Sequence, residues 1–175
     1  MAVIPVPATF VAGLAPPEAD LNSLRNGINF ALSPPLAELR QTVTQSLPNA
    51  GWTALTFDTE IIDTDGGHST ATNTSRYVVQ TAGWYLLTAG VSFAASATGG
   101  RGLRFAKNGA AQGFGRVFTA PSPMYASDLN TSKRFLCAVG DYLEVQAFQN
   151  SGAALNTNYV ANDSGSFMEV QFIHT

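Results

Sequence analysis

Hydrophobic and polar positions alternate along most of the chain beyond residue 50, in short runs that glycine, asparagine and serine interrupt. WTALTFD at 52–58 opens the series, and RYVVQ, GWYLLTAGVSF, RGLRFAKNG, GFGRVFTA, KRFLCAVG, DYLEVQAFQ and SFMEVQFIH continue it. A period of two sends successive side chains to opposite faces of a strand. Each run therefore predicts a strand, and the set predicts an all-β sandwich or barrel. In GWYLLTAGVSF the period places Tyr85, Leu87, Ala89, Val91 and Phe93 on the core face, with Trp84, Leu86, Thr88, Gly90 and Ser92 opposite. In DYLEVQAFQ it turns Leu143, Val145 and Ala147 inward and leaves Tyr142, Glu144, Gln146 and Phe148 outside. Large aromatics on non-core faces, Trp84, Tyr142 and Phe148 among them, point to a subunit interface.

Ahead of residue 50 the pattern is different. Seven of the nine prolines lie there, together with the one convincing helical period, so residues 1–50 read as an arm and 51–175 as a β domain. Residues 1–14 are punctuated by proline and read as extended. Pro16 and Pro17 precede Glu18 and Asp20, which suits a helix start with acidic residues in its first turn. Leu21, Leu24, Ile28 and Leu32 follow at spacings of three and four and give a narrow apolar stripe on a helix near 17–32, ending by Ser33 before Pro34 and Pro35. So short a helix is marginal alone in water. Its stripe must pack either on its own β domain or on another subunit. The next segment, ELRQTVTQS, has the Val and Thr of a strand, while Leu36, Leu39 and Val43 also fit a helical period.

Composition narrows the function classes. The chain of 175 residues is long enough for one domain with a real core, and 45% hydrophobic residues against 12% charged ones exclude a disordered polyelectrolyte. A net charge of −3 without a basic block gives nucleic acid no phosphate-tracking surface. No apolar run approaches the roughly 18 residues of a membrane span, and MAVIPVPATF lacks the basic start and apolar segment of a signal peptide. No membrane partner is expected. Cys137, the single cysteine, excludes an intramolecular disulfide and sits in the apolar run KRFLCAVGD as a structural thiol.

One stretch carries candidate chemistry. DTDGGH at 63–68 sets two carboxylates, two glycines and an imidazole together. It breaks off too early for a calcium loop of the EF-hand type. A zinc site needs three or four ligands, and the other histidine is His174, next to the end of the chain. G-x-S-x-G is absent, and Glu38 and Glu60 have no spaced partner suggesting glycoside chemistry. The stretch reads as a structural loop, with no catalytic residue, metal or cofactor expected. Arg101, Arg104 and Lys107 share one predicted hairpin that could meet an anionic surface, although three basic residues on a solvated hairpin are ordinary.

In order, AGWYLLTAGVSF at 82–93, the KNG turn at 107–109, GDYLEV at 140–145 and the terminal SFMEVQFI resemble the C1q/TNF-like jelly roll. The arm, through PPLAELRQTVTQSLPNAGWTALTFDTEIIDTDGGHS, further resembles bacteriophage virion structural proteins that carry this domain. The resemblance implies a two-sheet antiparallel jelly-roll sandwich over 51–175, a homotrimer, and a structural role in the virion. DTDGGH would then simply join the first strands to RYVVQ. The collagen-like stalk of the C1q proteins is absent, so ligand signalling by the animal relatives does not carry over. Three functions are open: a capsid decoration or head-fibre protein anchored to other virion proteins by its arm; a minor tail or tail-tip protein binding host-surface glycans; and, well behind, a cell-wall hydrolase. Phe10, Leu21, Leu24, Ile28 and Leu32 are the anchoring residues this reading predicts.

Overall fold

A computed structural model describes Gly13 and residues 15–174. Phe10 lies outside the described residues. The helix α1 spans Glu18–Leu32, with Glu18 and Asp20 in its first turn and Pro17 at its N-cap position, where no side chain caps it. The Ser33 N–H closes its last turn on the Asn29 carbonyl at 3.0 Å, and Pro34 and Pro35 forbid continuation.

Thirteen strands follow: β1 (Leu36–Gln41), β2 (Ser46–Leu47), β3 (Gly51–Ala54), β4 (Thr59–Asp63), β5 (Arg76–Val78), β6 (Gly83–Phe93), β7 (Arg101–Lys107), β8 (Ala110–Ala111), β9 (Val117–Thr119), β10 (Ser127–Cys137), β11 (Tyr142–Gln149), β12 (Leu155–Asn156) and β13 (Ser166–His174). One main sheet runs β10-β6-β13-β1-β4; the other runs β3-β11-β7-β8, with β5 added on β11 and β9 on β7, and β12 pairs with β2 in a separate two-stranded ribbon. Their pairings are antiparallel. This is the expected two-sheet jelly-roll sandwich.

The strand faces follow the period of two. Tyr85, Leu87, Ala89, Val91 and Phe93 are buried, as are Leu143, Val145 and Ala147. They meet Leu103, Phe105, Met168, Val170 and Phe172 in one core between the sheets. Cys137 joins that core, and burial pushes its thiol up to about 11. Two expectations need correction. The sandwich begins at Leu36, well before residue 51, because β1 pairs with both β13 and β4 and buries Ala37 and Leu39. Composition misplaces that boundary, since proline density tracks the arm and says nothing of which later strand receives β1. WTALTFD, moreover, is not one strand. The chain leaves β3 at Ala54, buries Leu55 and Phe57 as it crosses the core edge, and enters β4 in the opposite sheet.

Candidate functional site

The DTDGGH loop is packed inward. Asp63, the last residue of β4, accepts the Gly67 and His68 backbone N–H groups at 3.2 and 2.8 Å. Tyr77 donates its hydroxyl to Asp65 at 2.8 Å. The Tyr77 ring lies so close to Gly67 that a Cβ there would collide with it. His68 is nearly buried, with Nδ1 2.9 Å from the Arg76 carbonyl and Nε2 3.2 Å from the Phe57 carbonyl. Both ring nitrogens thus face backbone, and neither is directed at a ligand. Burial, reinforced by Asp63 and opposed by the Tyr77 hydrogen bond, raises the Asp65 carboxyl above its ordinary range. Among the described residues no cluster of three or more His, Cys, Asp or Glu is placed to hold a metal ion.

The three basic residues of the β7 hairpin are also engaged within the chain. Arg101 is fully buried, donating to the Thr98 and Gly100 carbonyls at 3.1 and 3.0 Å. Arg104 stacks 4.2 Å from the centre of the Trp52 ring and donates to Gln146 at 2.7 Å. Lys107 pairs with Asp141 at 2.7 Å. A basic patch for an anionic surface is therefore not assembled here.

What remains is a set of surfaces. Trp84, Tyr142 and Phe148 do not form one patch: Trp84 lies on the outer face of the five-stranded sheet, while Tyr142 and Phe148 lie on β11 in the other. Six residues at about 3.4 Å each also hold Tyr142 and Phe148 about 20 Å apart. Arg76 covers the Tyr142 ring at 4.1 Å and pairs with the buried Glu144 at 3.2 Å. Phe148 packs with Trp52 and Phe118, at centroid distances of 5.3 and 6.1 Å. Gly102 makes room for this cluster, since a Cβ there would strike Phe118. No local pattern marks Trp52 and Phe118 as partners of Phe148, because their meeting depends on the β3–β11 and β7–β9 registers.

On the five-stranded sheet, Trp84 pairs with Leu136 across the β6–β10 ladder, and the His174 ring stands 6.3 Å from the indole. Leu136 is 57% exposed. This end of the face is apolar. The far end is an open cleft of about 640 Å³ lined by Glu38, Arg40, Asp128, Asn130, Phe167 and Glu169, acidic in balance.

The predicted helix stripe is mostly uncovered, with Leu24 half-buried. Leu21, Ile28 and Leu32 are exposed, and no residue of α1 is buried. The helix meets its own sandwich through Phe30, which the stripe does not contain: its ring stands edge-on to Phe172 at 5.1 Å. No helix among the described residues is long and apolar enough to cross a membrane.

No protein-family model matches the chain, and no curated protein matches it by sequence. Solved structures do. The crystal structure of murine APRIL at pH 8.5 superposes with a TM-score of 0.58 at 16% identity, covering 79% of this chain and 98% of that one. The globular domain of zebrafish complement 1qA protein superposes with a TM-score of 0.55 at 12% identity, covering 80% and 98%. The sandwich formed by β1 to β13 thus has the C1q/TNF-like jelly-roll fold.

Proposed function

We propose that the protein is a non-enzymatic structural subunit of a bacteriophage virion, a homotrimer of the capsid-decoration or head-fibre type, assembled in the bacterial host cytoplasm. C1q/TNF-like domains typically form homotrimers. A cyclic trimer is heterologous, so each subunit must offer two different surfaces to its neighbours. The apolar end of the five-stranded sheet and the aromatic faces of β11 lie on opposite sides of the sandwich and meet that requirement. The residues before the sandwich, 1–35, attach the trimer to other virion proteins.

The observation that carries this reading is α1. It stands outside the core, is held through one ring, and leaves Leu21, Ile28 and Leu32 in solvent. Such a helix needs a protein partner to persist. Deleting residues 1–35 is expected to leave a folded trimer by light scattering that no longer co-sediments with particles. Full occupancy of the truncated chain on particles would overturn the reading.

A second reading, a tail or tail-tip protein binding host-surface glycans, is favoured by one feature. Phe118 is 54% exposed beside Trp52, with Arg104 and Gln146 alongside, a mixture of ring faces and hydrogen-bonding groups that suits a sugar. Copy number by quantitative mass spectrometry of virions separates the two, being high for a shell protein and low for a tail tip.

A further inference from the structure

Helix α1 carries apolar residues on two faces, and the sandwich uses only one. At about 100° per residue, Leu21, Leu24, Ile28 and Leu32 fall within an arc of about 80°, and Phe30 lies nearly opposite. With Phe30 turned to Phe172, the stripe is directed away from the chain's own core.

The spacing on that outward face is specific. Leu21, Leu24, Ile28 and Ala31 recur at intervals of three, four and three, the seven-residue repeat whose seam closes against identical helices. Asp20 and Arg25 flank the seam on its two sides. They lie five positions apart, which is the offset that brings opposite charges together between neighbouring parallel helices. Asn22, Ser23, Asn26 and Asn29 occupy the outer positions.

We propose that the seam is closed by the same helix from two further copies of this chain, in a short parallel three-stranded coil leading into the three sandwiches. The inference rests on the trimeric reading above and gives the Leu21, Leu24 and Ile28 face to copies of this chain in place of another virion protein, so that attachment falls to Leu32 and the residues before the helix. Parallel orientation follows because a three-fold axis must carry every Leu32 to the same end. The helix also joins β1 at the apolar end of the five-stranded sheet: the Phe172 N–H bonds the Pro35 carbonyl, and Phe172 pairs with Tyr85 beside Trp84. The seam and the Trp84–Leu136 surface therefore lie at one end of the sandwich. Two heptads are too short to associate alone, but tethering to a trimeric head raises their effective concentration. Leu32 flanks the seam and, with the residues preceding the helix, is left to meet other proteins.

The test uses the full-length protein with single cysteines. Cys137 is buried and stays in place. Leu24→Cys, at the seam, is expected to form covalent dimers under mild oxidation, leaving one unpaired chain per trimer, whereas Asn26→Cys on the outer face forms none. Asp20→Arg should lower the melting temperature, and adding Arg25→Asp should restore it. A trimer by light scattering in which Leu24→Cys fails to cross-link, or cross-links no better than Asn26→Cys, would overturn the coil and spare the trimeric reading. A monomer would overturn both. Cross-linking of Leu24→Cys to a different virion protein on the particle would also overturn the coil.

Discussion

Phe30 stands perpendicular to Phe172, at an interplanar angle of 88° and a centroid distance of 5.1 Å. Through this edge-on contact an otherwise solvated helix reaches the core of its own sandwich. Phe172 in turn stacks edge-on to Tyr85 at 5.4 Å, so the contact continues into the interior. Phe30→Ala is expected to cost about 1–3 kcal/mol, less than a fully buried ring because Phe30 is only half-buried. Denaturant unfolding measures the loss. Limited proteolysis should show faster cleavage between residues 20 and 33, and an unchanged cleavage rate would show that the ring does not hold the helix.

The DTDGGH loop is expected to respond to packing and not to metal. Gly67→Ala forces a Cβ into the Tyr77 ring and should cost about 2–3 kcal/mol, within the range for overpacking a core. Chelator should leave the melting temperature where it was, because no binding free energy is lost from the native state. A fall in melting temperature with EDTA that calcium or zinc reverses would refute the structural reading of this loop.

Two carboxylates give opposite pH dependences. The Lys107 hydrogen bond, supported by Asn108 and the Ala138 N–H against a small cost of burial, holds Asp141 down to about 2 from an ordinary 3.8. Its stabilising contribution is present above the unfolded value and is lost as pH falls from 3.8 toward 2. Asp141 is partly covered but lies at the surface, where solvent screens the pair and keeps the effect modest. Asp141→Asn should flatten that part of the acid-unfolding curve.

Asp65 runs the other way. Its folded value is raised, chiefly by burial, so its stabilising contribution is complete below the unfolded value of about 3.8 and is lost as pH rises through the folded one. Asp65→Asn keeps an acceptor for the Tyr77 hydroxyl and removes a half-buried charge. The variant is expected to be at least as stable as the parent at pH 7, with the advantage disappearing near pH 3, both read from denaturant midpoints.

Subunit association and chain stability should separate by residue. Trp84→Glu places a charge on the apolar end of the five-stranded sheet and is expected to dissociate the proposed trimer with little change in monomer folding. Phe148→Ala removes a ring already packed on Trp52 and Phe118, so it should lower unfolding stability as well as weaken association. Light scattering beside thermal unfolding distinguishes them. Equal effects of the two variants on both readouts would remove the distinction.

Local pattern alone was enough for most of the longer strands, for the inward faces of β6 and β11 and for the limits of α1. A period of two or of 3.6 is a local property, and proline or glycine stops an element wherever it stands. Tyr85 to Phe93 and Leu143 to Ala147 are buried as their alternation requires. The order of turn motifs also carried the jelly-roll resemblance. Tertiary structure alone decided which strands pair and what the outward residues meet. WTALTFD leaves its strand at Ala54 because Leu55 and Phe57 find burial where the chain crosses to the other sheet, which no local pattern records. Trp84 is separated from Tyr142 and Phe148 because long-range strand pairing, not alternation, assigns β6 and β11 to different sheets. On α1 the single aromatic opposite the stripe was visible on a helical projection, but only the position of Phe172 at the end of β13 turned it inward. Leu21, Ile28 and Leu32 were thereby left to solvent, because a rigid helix pinned on one side cannot bury the other against the same chain.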